Sequence, residues 1–185
     1  MLIGVSGKKG AGKDLAGEII QRVVGEADFA WHYNIKKFAD KIKDVVCLLI
    51  GCSREDLENR EFKERELGEE WGWLTPRKLL QLLGTEAGRV IIHPNLWVNA
   101  LFSDYDSSSN YDSKWIITDV RFPNECQAIK DRGGIVIRIN RDSDVVDNHS
   151  SETALDNYYD FDHVVDNNGS IDDLTNNLIK IINND

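Results

Sequence analysis

The chain opens with 2-LIGVSGKKGAGKDLAGEII-20, and the reading of this stretch decides the fold. Residues 2–6 are a short apolar run. Glycines follow, and then Leu15, Ile19, Ile20 and Val23 recur at helical spacing, which gives strand, loop, helix. Within it, 7-GKKGAGKD-14 matches G-x-x-x-x-G-K, with Asp where Ser or Thr is usual. Glycines let successive N–H groups turn inward around an anion, and a helix N-terminus adds its partial positive charge. Gly7, Lys8, Lys9, Gly10, Ala11, Gly12 and Lys13 are therefore read as a phosphate cradle, with Lys13 reaching the β- and γ-phosphates of a nucleotide. Asp14 has two readings: a magnesium ligand, direct or through water, or a carboxylate capping the helix N-terminus.

Composition narrows the classes. A chain of 185 residues that is 41 % hydrophobic, with five Trp and six Phe, suits one domain with a real core. The 32 acidic and 22 basic residues leave a formal net charge of -10, which argues against an extended nucleic-acid surface. A small anionic ligand needs only a few local cations and backbone N–H groups. Cys47, Cys52 and Cys126 form no C-x-x-C pair and fit a reducing compartment. No apolar run approaches the ~18–20 residues of a membrane span, and no signal-peptide core is evident, so a cytoplasmic protein is expected.

Further along, 29-FAWHY-33 reads as a second strand and about 38–50 as a helix. The charged segment 53–73 starts as a helix capped by Ser53 and Asp56, with a looser second half. Thr75-Pro76 starts another helix, and 105–113 is a polar surface loop. Residues 115–118 are a buried strand ending at Asp119. A helix over about 124–132, the Gly133-Gly134 turn, a strand over 135–139 and a strand at 163–165 follow. Ser170 with Asp173 caps a last helix carrying Ile171, Leu174, Leu178, Ile181 and Ile182 on one face. Strands alternating with helices predict an α/β fold, a parallel sheet covered by helices, with ligands beyond the carboxyl ends of the strands. Asp119, at the end of an apolar strand, is placed to hold Mg²⁺ or its waters, or else to cap the following turn.

Together, GKKGAGKD, 38-FADKIKD-44, 75-TPRKLLQLLGTEAGR-89, 119-DVRFPNE-125 and 149-HSSETALD-156 resemble the phage-type deoxynucleoside monophosphate kinases, in order and over nearly the whole chain. Asp after the loop lysine is usual in that family. The resemblance implies a three-layer αβα P-loop kinase fold with a mostly parallel sheet. It implies one domain over 1–185, with an acceptor-binding helical region near 35–104 and a short lid near 139–153. It further implies transfer of the γ-phosphoryl group of ATP to a deoxynucleoside monophosphate with Mg²⁺, in the host cytoplasm if the chain is phage-encoded. The partners are then ATP and the monophosphate, with no nucleic acid and no membrane, and a homodimer stays open.

The same resemblance assigns residues. Lys13, Asp119, Arg121 and Arg141 would carry catalysis. Arg138 would join the ATP site, and Asp14 and Asp119 would serve the metal. Phe38, Lys41, Arg77, Gln81, Arg89, Trp97, His149 and Glu152 would bind the acceptor. Arg77 and Arg89 lie twelve residues apart, so they share a face only if their helix bends or ends before Gly88. A monophosphate is already anionic, so no general base is required. Two other readings keep the loop: a P-loop kinase acting on phosphomevalonate or dephospho-coenzyme A, and a nucleotide sensor without transfer activity.

Overall fold

The computed structural model describes residues 1–27, 33–108, 114–142 and 149–184. Its five strands are β1 (Leu2–Gly7), β2 (Asn34–Lys36), β3 (Trp115–Val120), β4 (Ile135–Asn140) and β5 (His163–Asp166). They form one all-parallel sheet in the order β2-β3-β1-β4-β5. Parallel neighbours need crossovers. The first crossover leads to one side of β1, while β4 and β5 lie on the other. The loop after β1 therefore sits where strand order reverses, the position at which open parallel sheets bind ligands.

β1 is buried along its whole length, as a central strand covered on two faces must be. Ile3 and Val5 point toward α1 (Lys13–Ala27) and α9 (Ile171–Ile182), packing with Ile19, Ile20, Leu174 and Leu178. Gly4 points to the other face, where Ile129 of α7 (Pro123–Lys130) lies so close that a Cβ on Gly4 would meet its Cδ1 at 2.6 Å. The anticipated capping box of α9 is present: Ser170 Oγ accepts from Asp173 N at 3.1 Å, and Asp173 accepts from Ser170 N at 2.9 Å.

Residues 38–103 form a second compact unit, separate from the unit of 1–37 and 104–185. It is helical: α2 (Ala39–Ile50), α3 (Arg54–Glu58), α4 (Arg60–Glu64), a single 3₁₀ turn at Glu69–Trp71, α5 (Pro76–Gln81) and α6 (Leu96–Phe102). Thr75 caps α5 as expected, its Oγ1 accepting from Lys78 N at 3.1 Å. Inside the unit, Phe38 and Phe102 meet edge to face at 6.2 Å, and Val46, Leu57, Val98 and Leu101 are buried. Among the described residues no helix is long and apolar enough to cross a membrane.

Three segments add detail to what the sequence pattern gives. The second strand found among the described residues is Asn34–Lys36, set by its pairing with Trp115–Ile117; of the segment 29–33 read as a strand, 29–32 lie outside the described residues. The helical start capped by Ser53 and Asp56 is present, and the chain continues to Glu64 as two short helices, because Asn59 restarts it by capping Phe62 N at 3.0 Å. The helix begun at Pro76 neither ends before Gly88 nor keeps α-helical winding. From Leu82 to Ile92 it has the wider turns of a π-helix.

Gly17 carries the seating of α1 on the sheet, since a Cβ there would lie 2.3 Å from Thr118 Cγ2 on β3. Gly17→Ala should lower unfolding stability by about 1–3 kcal/mol, the usual cost of overpacking. Denaturant midpoints of the two proteins check this, and an unchanged midpoint would show that α1 tolerates displacement.

Candidate active site

The loop from Gly7 to Gly12 joins β1 to α1, and its shape is held from two sides. Gly12 has φ +94°, a left-handed conformation that suits glycine. A Cβ at Gly12 would also meet Asn167 Nδ2 at 2.7 Å. Asn167 is buried just past β5, donates from Nδ2 to the Ala11 carbonyl at 2.9 Å, and is itself tied by its N–H to the Asn140 carbonyl at 2.7 Å. On the other side, Lys13 folds back, its Nζ donating to the carbonyls of Gly7 at 2.7 Å and Lys8 at 2.8 Å.

Lys13 is 9 % exposed. Burial, then repulsion from Arg121, pulls its pKa from 10.5 down to about 8, while Asp14 and Asp119 work the other way. Arg138 adds to the cationic surroundings. It comes from β4 beside β1, donates to Ser6 Oγ at 3.1 Å, and stacks its guanidinium 5.5 Å from the Phe161 ring centre. Burial lowers its pKa from the ordinary arginine value.

Asp14 stands in the first turn of α1 with two partners on one oxygen. Lys37 Nζ lies 2.7 Å from Oδ1, and Thr118 Oγ1 donates to the same atom at 3.0 Å. Burial alone would raise this carboxyl, but the ammonium of Lys37 and the hydroxyl of Thr118 outweigh it, and the pKa falls below the usual carboxylate range. Asp119 is half-buried on β3. Among the described residues no group of three or more His, Cys, Asp or Glu gathers as a metal cage.

Just past β3, the buried carboxylate of Glu125 takes the N–H groups of Arg121 at 2.6 Å and Phe122 at 3.0 Å, which fixes the turn and the exit direction of Arg121. The Arg121 guanidinium pairs with Glu152 of α8 (Ser150–Thr153), and Glu152 Oε2 also accepts from the backbone N–H of Lys9 at 3.0 Å. His149 caps α8, its Nδ1 accepting from Ser151 N at 3.3 Å. A pocket of about 370 Å³ opens at the carboxyl ends of β4 and β5, lined by Lys8, Arg138, Asn140, Arg141, Asp166 and Asn168 among others. Residues 143–148, the middle of the anticipated lid, lie outside the described residues.

The remaining predicted residues belong to the helical unit. Arg77 and Gln81 are on α5, and Arg77 pairs with Glu64. Arg89 is in the π-helical stretch, with a long contact of 3.4 Å to the Pro94 carbonyl. Winding matters for this pair. Twelve α-helical steps would leave Arg77 and Arg89 about 120° apart around the axis; the π-winding after Gln81 turns less per residue and so changes their relative direction. Lys41 lies on α2. Phe38 and Trp97 are buried, and the Trp97 indole donates to the Gly84 carbonyl at 2.8 Å, so both rings pack the interior of this unit.

Sequence reasoning did not find Lys37, Glu125, Asn167 or Thr118. Glu125 had a local signal, a carboxylate at the third position of a helix that Pro123 begins, whereas nothing in the sequence around Lys37, directly before FADKIKD, tells which side chain it will meet.

The family model for deoxynucleotide monophosphate kinase matches residues 52–178. The chain belongs to the deoxynucleotide monophosphate kinase family. It is 30 % identical over 194 aligned positions to a protein of Acanthamoeba polyphaga mimivirus that bears that activity as a provisional name, covering 100 % of this chain and 97 % of the relative. It is also 39 % identical over 59 residues to the deoxynucleoside-5'-monophosphate kinase of Escherichia phage T5, a match spanning 32 % of this chain and 23 % of that one.

The lowered pKa of Lys13 has a consequence for ligand binding in this kinase. The unfolded chain holds that proton up to about 10.5 and the folded chain only to about 8. Stability of the empty protein therefore gains from this group as pH rises between those values. A triphosphate seated on this loop would reverse the preference, because it would stabilise the ammonium. ATP binding at about pH 9 should take up a proton, and affinity should fall as pH rises through about 8. Calorimetry in two buffers of different ionisation enthalpy reads the uptake, and buffer-independent heats would show that Lys13 is already fully charged in the empty site.

Proposed function

We propose that this chain performs its family's reaction, transfer of the γ-phosphoryl group of ATP to a deoxynucleoside monophosphate, with the donor bound at the β1–α1 loop. The observation that carries the reading is the loop itself: a left-handed glycine turn at a helix N-terminus, with the buried ammonium of Lys13 folded onto it and Arg121 and Arg138 nearby. Phosphoryl transfer asks a protein for positioning and charge stabilisation more than for covalent chemistry. This site is built from fixed cations and backbone N–H groups.

The donor's phosphates take the loop N–H groups and release Lys13 from the Gly7 and Lys8 carbonyls to the β- and γ-oxygens. The adenosine end uses the pocket beside Lys8 and Arg138, whose size falls in the range of small-molecule sites. Arg121, aimed by Glu125, meets the transferring phosphoryl group, and Arg141 at the rim of the pocket adds a second guanidinium. Asp14 and Asp119 fit Mg²⁺, which binds through one or two carboxylates together with substrate phosphates and water. When bound, that ion neutralises charge on the phosphate oxygens. Lys37 and Thr118 keep Asp14 ionised and oriented for it.

On the acceptor side, Arg77 and Arg89 present two guanidiniums from one helical stretch, suited to bidentate hold of a phosphate. Gln81, one turn after Arg77 on the same helix, is the polar group assigned to the base.

Lys13→Ala should cut turnover by a factor on the order of 10² or more while leaving the melting temperature near that of the parent. Near-normal turnover would remove the loop from the donor site. Arg77→Ala and Arg89→Ala should each raise the KM for the monophosphate by roughly tenfold, with little change in the KM for ATP. Steady-state kinetics with each substrate varied in turn reads the split, and a larger effect on ATP would move these arginines to the donor.

A further inference from the structure

Glu152 has an unusual set of neighbours for a carboxylate. Its side chain is only 9 % exposed. A carboxylate so far from water needs charged or N–H partners, and the partners found are the backbone N–H of Lys9 at 3.0 Å and the guanidinium of Arg121. Both belong to the machinery assigned above to phosphate. A second carboxylate of the same segment, Asp156, pairs with the exposed Lys8 side chain at 3.0 Å and is within electrostatic reach of Arg138, but no hydrogen bond from a loop N–H or a guanidinium to it is found among the described residues.

Carboxylate and phosphate oxygens seek the same donors: backbone N–H groups turned inward by a glycine loop, and guanidinium. Two anions placed together on one such set repel. We infer that Glu152 is an internal stand-in for phosphate. In the empty site it holds the Lys9 amide and Arg121, and the phosphates of the donor displace it, so that Arg121 passes from carboxylate to phosphoryl group. Arg121 is thereby never without an anionic partner, and its position is fixed before nucleotide arrives. Donor affinity is correspondingly weaker than the loop alone would give, because each binding event must break the Glu152 contacts. The inference rests on the β1–α1 loop being the phosphate site.

The test is binding of inorganic tripolyphosphate and of ATP to the full chain, its Glu152→Gln variant and its Asp156→Asn variant, with thermal melts confirming that each is folded. Glutamine keeps the shape and loses the charge. Glu152→Gln should bind both ligands more tightly, by the same factor of roughly three- to tenfold, the value of one net hydrogen bond. Asp156→Asn, which loosens an exposed pair with Lys8, should tighten binding by less than Glu152→Gln does. Unchanged or weaker binding by Glu152→Gln overturns the inference. So does equal tightening by the two variants, since general charge removal would then explain it. Failure of the unaltered chain to bind tripolyphosphate and ATP at all would instead overturn the phosphate-loop reading on which the inference stands.

Discussion

The structure turns on one buried ammonium. Lys13 sits at the start of α1 with its charge directed onto the Gly7 and Lys8 carbonyls, and nearly all its surroundings serve that placement. Burying a cation is costly unless it is hydrogen-bonded and opposed by charge. Here the carbonyls supply the bonds, and Asp14 and Asp119 supply the charge. Other cations, Arg121 and Arg138, press the other way, and the outcome is a lysine poised to gain from any polyanion that enters. The sheet order puts the loop where strands diverge, Gly17 lets α1 lie against β3, and Asn167 fixes the loop from β5.

The unusual aspartate after the loop lysine is explained by its neighbours. A serine hydroxyl there would be neutral, whereas Asp14 brings a negative charge close to the loop proposed to hold the donor phosphates. Lys37, at the end of the neighbouring crossover, offsets that charge at 2.7 Å, and Thr118 fixes the oxygen it shares. The substitution at position 14 is thus part of a three-residue arrangement drawn from α1, the end of β2 and β3. The carboxylate keeps its ionised form, which both the capping and the metal-binding readings require.

What the sequence disclosed and what it hid divide along physical lines. The β1–loop–α1 unit, the caps at Ser53, Thr75 and Ser170, and the strands at 115–120 and 135–140 were legible because each depends on residues within a few positions of one another. β2 at Asn34–Lys36 was not legible because a three-residue edge strand is chosen by its partner, β3, not by its own pattern. The π-winding after Gln81 was hidden for a similar reason: no residue between Leu82 and Ile92 demands it, yet it decides whether Arg77 and Arg89 share a face. Lys37 and Asn167 act through contacts with residues that local spacing does not connect to them, and charge or amide alone does not distinguish them from surface residues, whereas Glu125 is a local helix-start carboxylate, three residues after Phe122 and two after Pro123. Trp97 illustrates the converse. An aromatic that could have stacked on a base is buried with its N–H satisfied inside the helical unit.

The central claim is that the loop and its cations transfer phosphate to a deoxynucleotide. The most direct measurement is chromatographic separation of the products formed from ATP with Mg²⁺ and each of the four common deoxynucleoside monophosphates and their ribo counterparts. The account predicts ADP and a deoxynucleoside diphosphate in equal amounts with at least one deoxy acceptor. Binding of ATP with no diphosphate from any of the eight would contradict it.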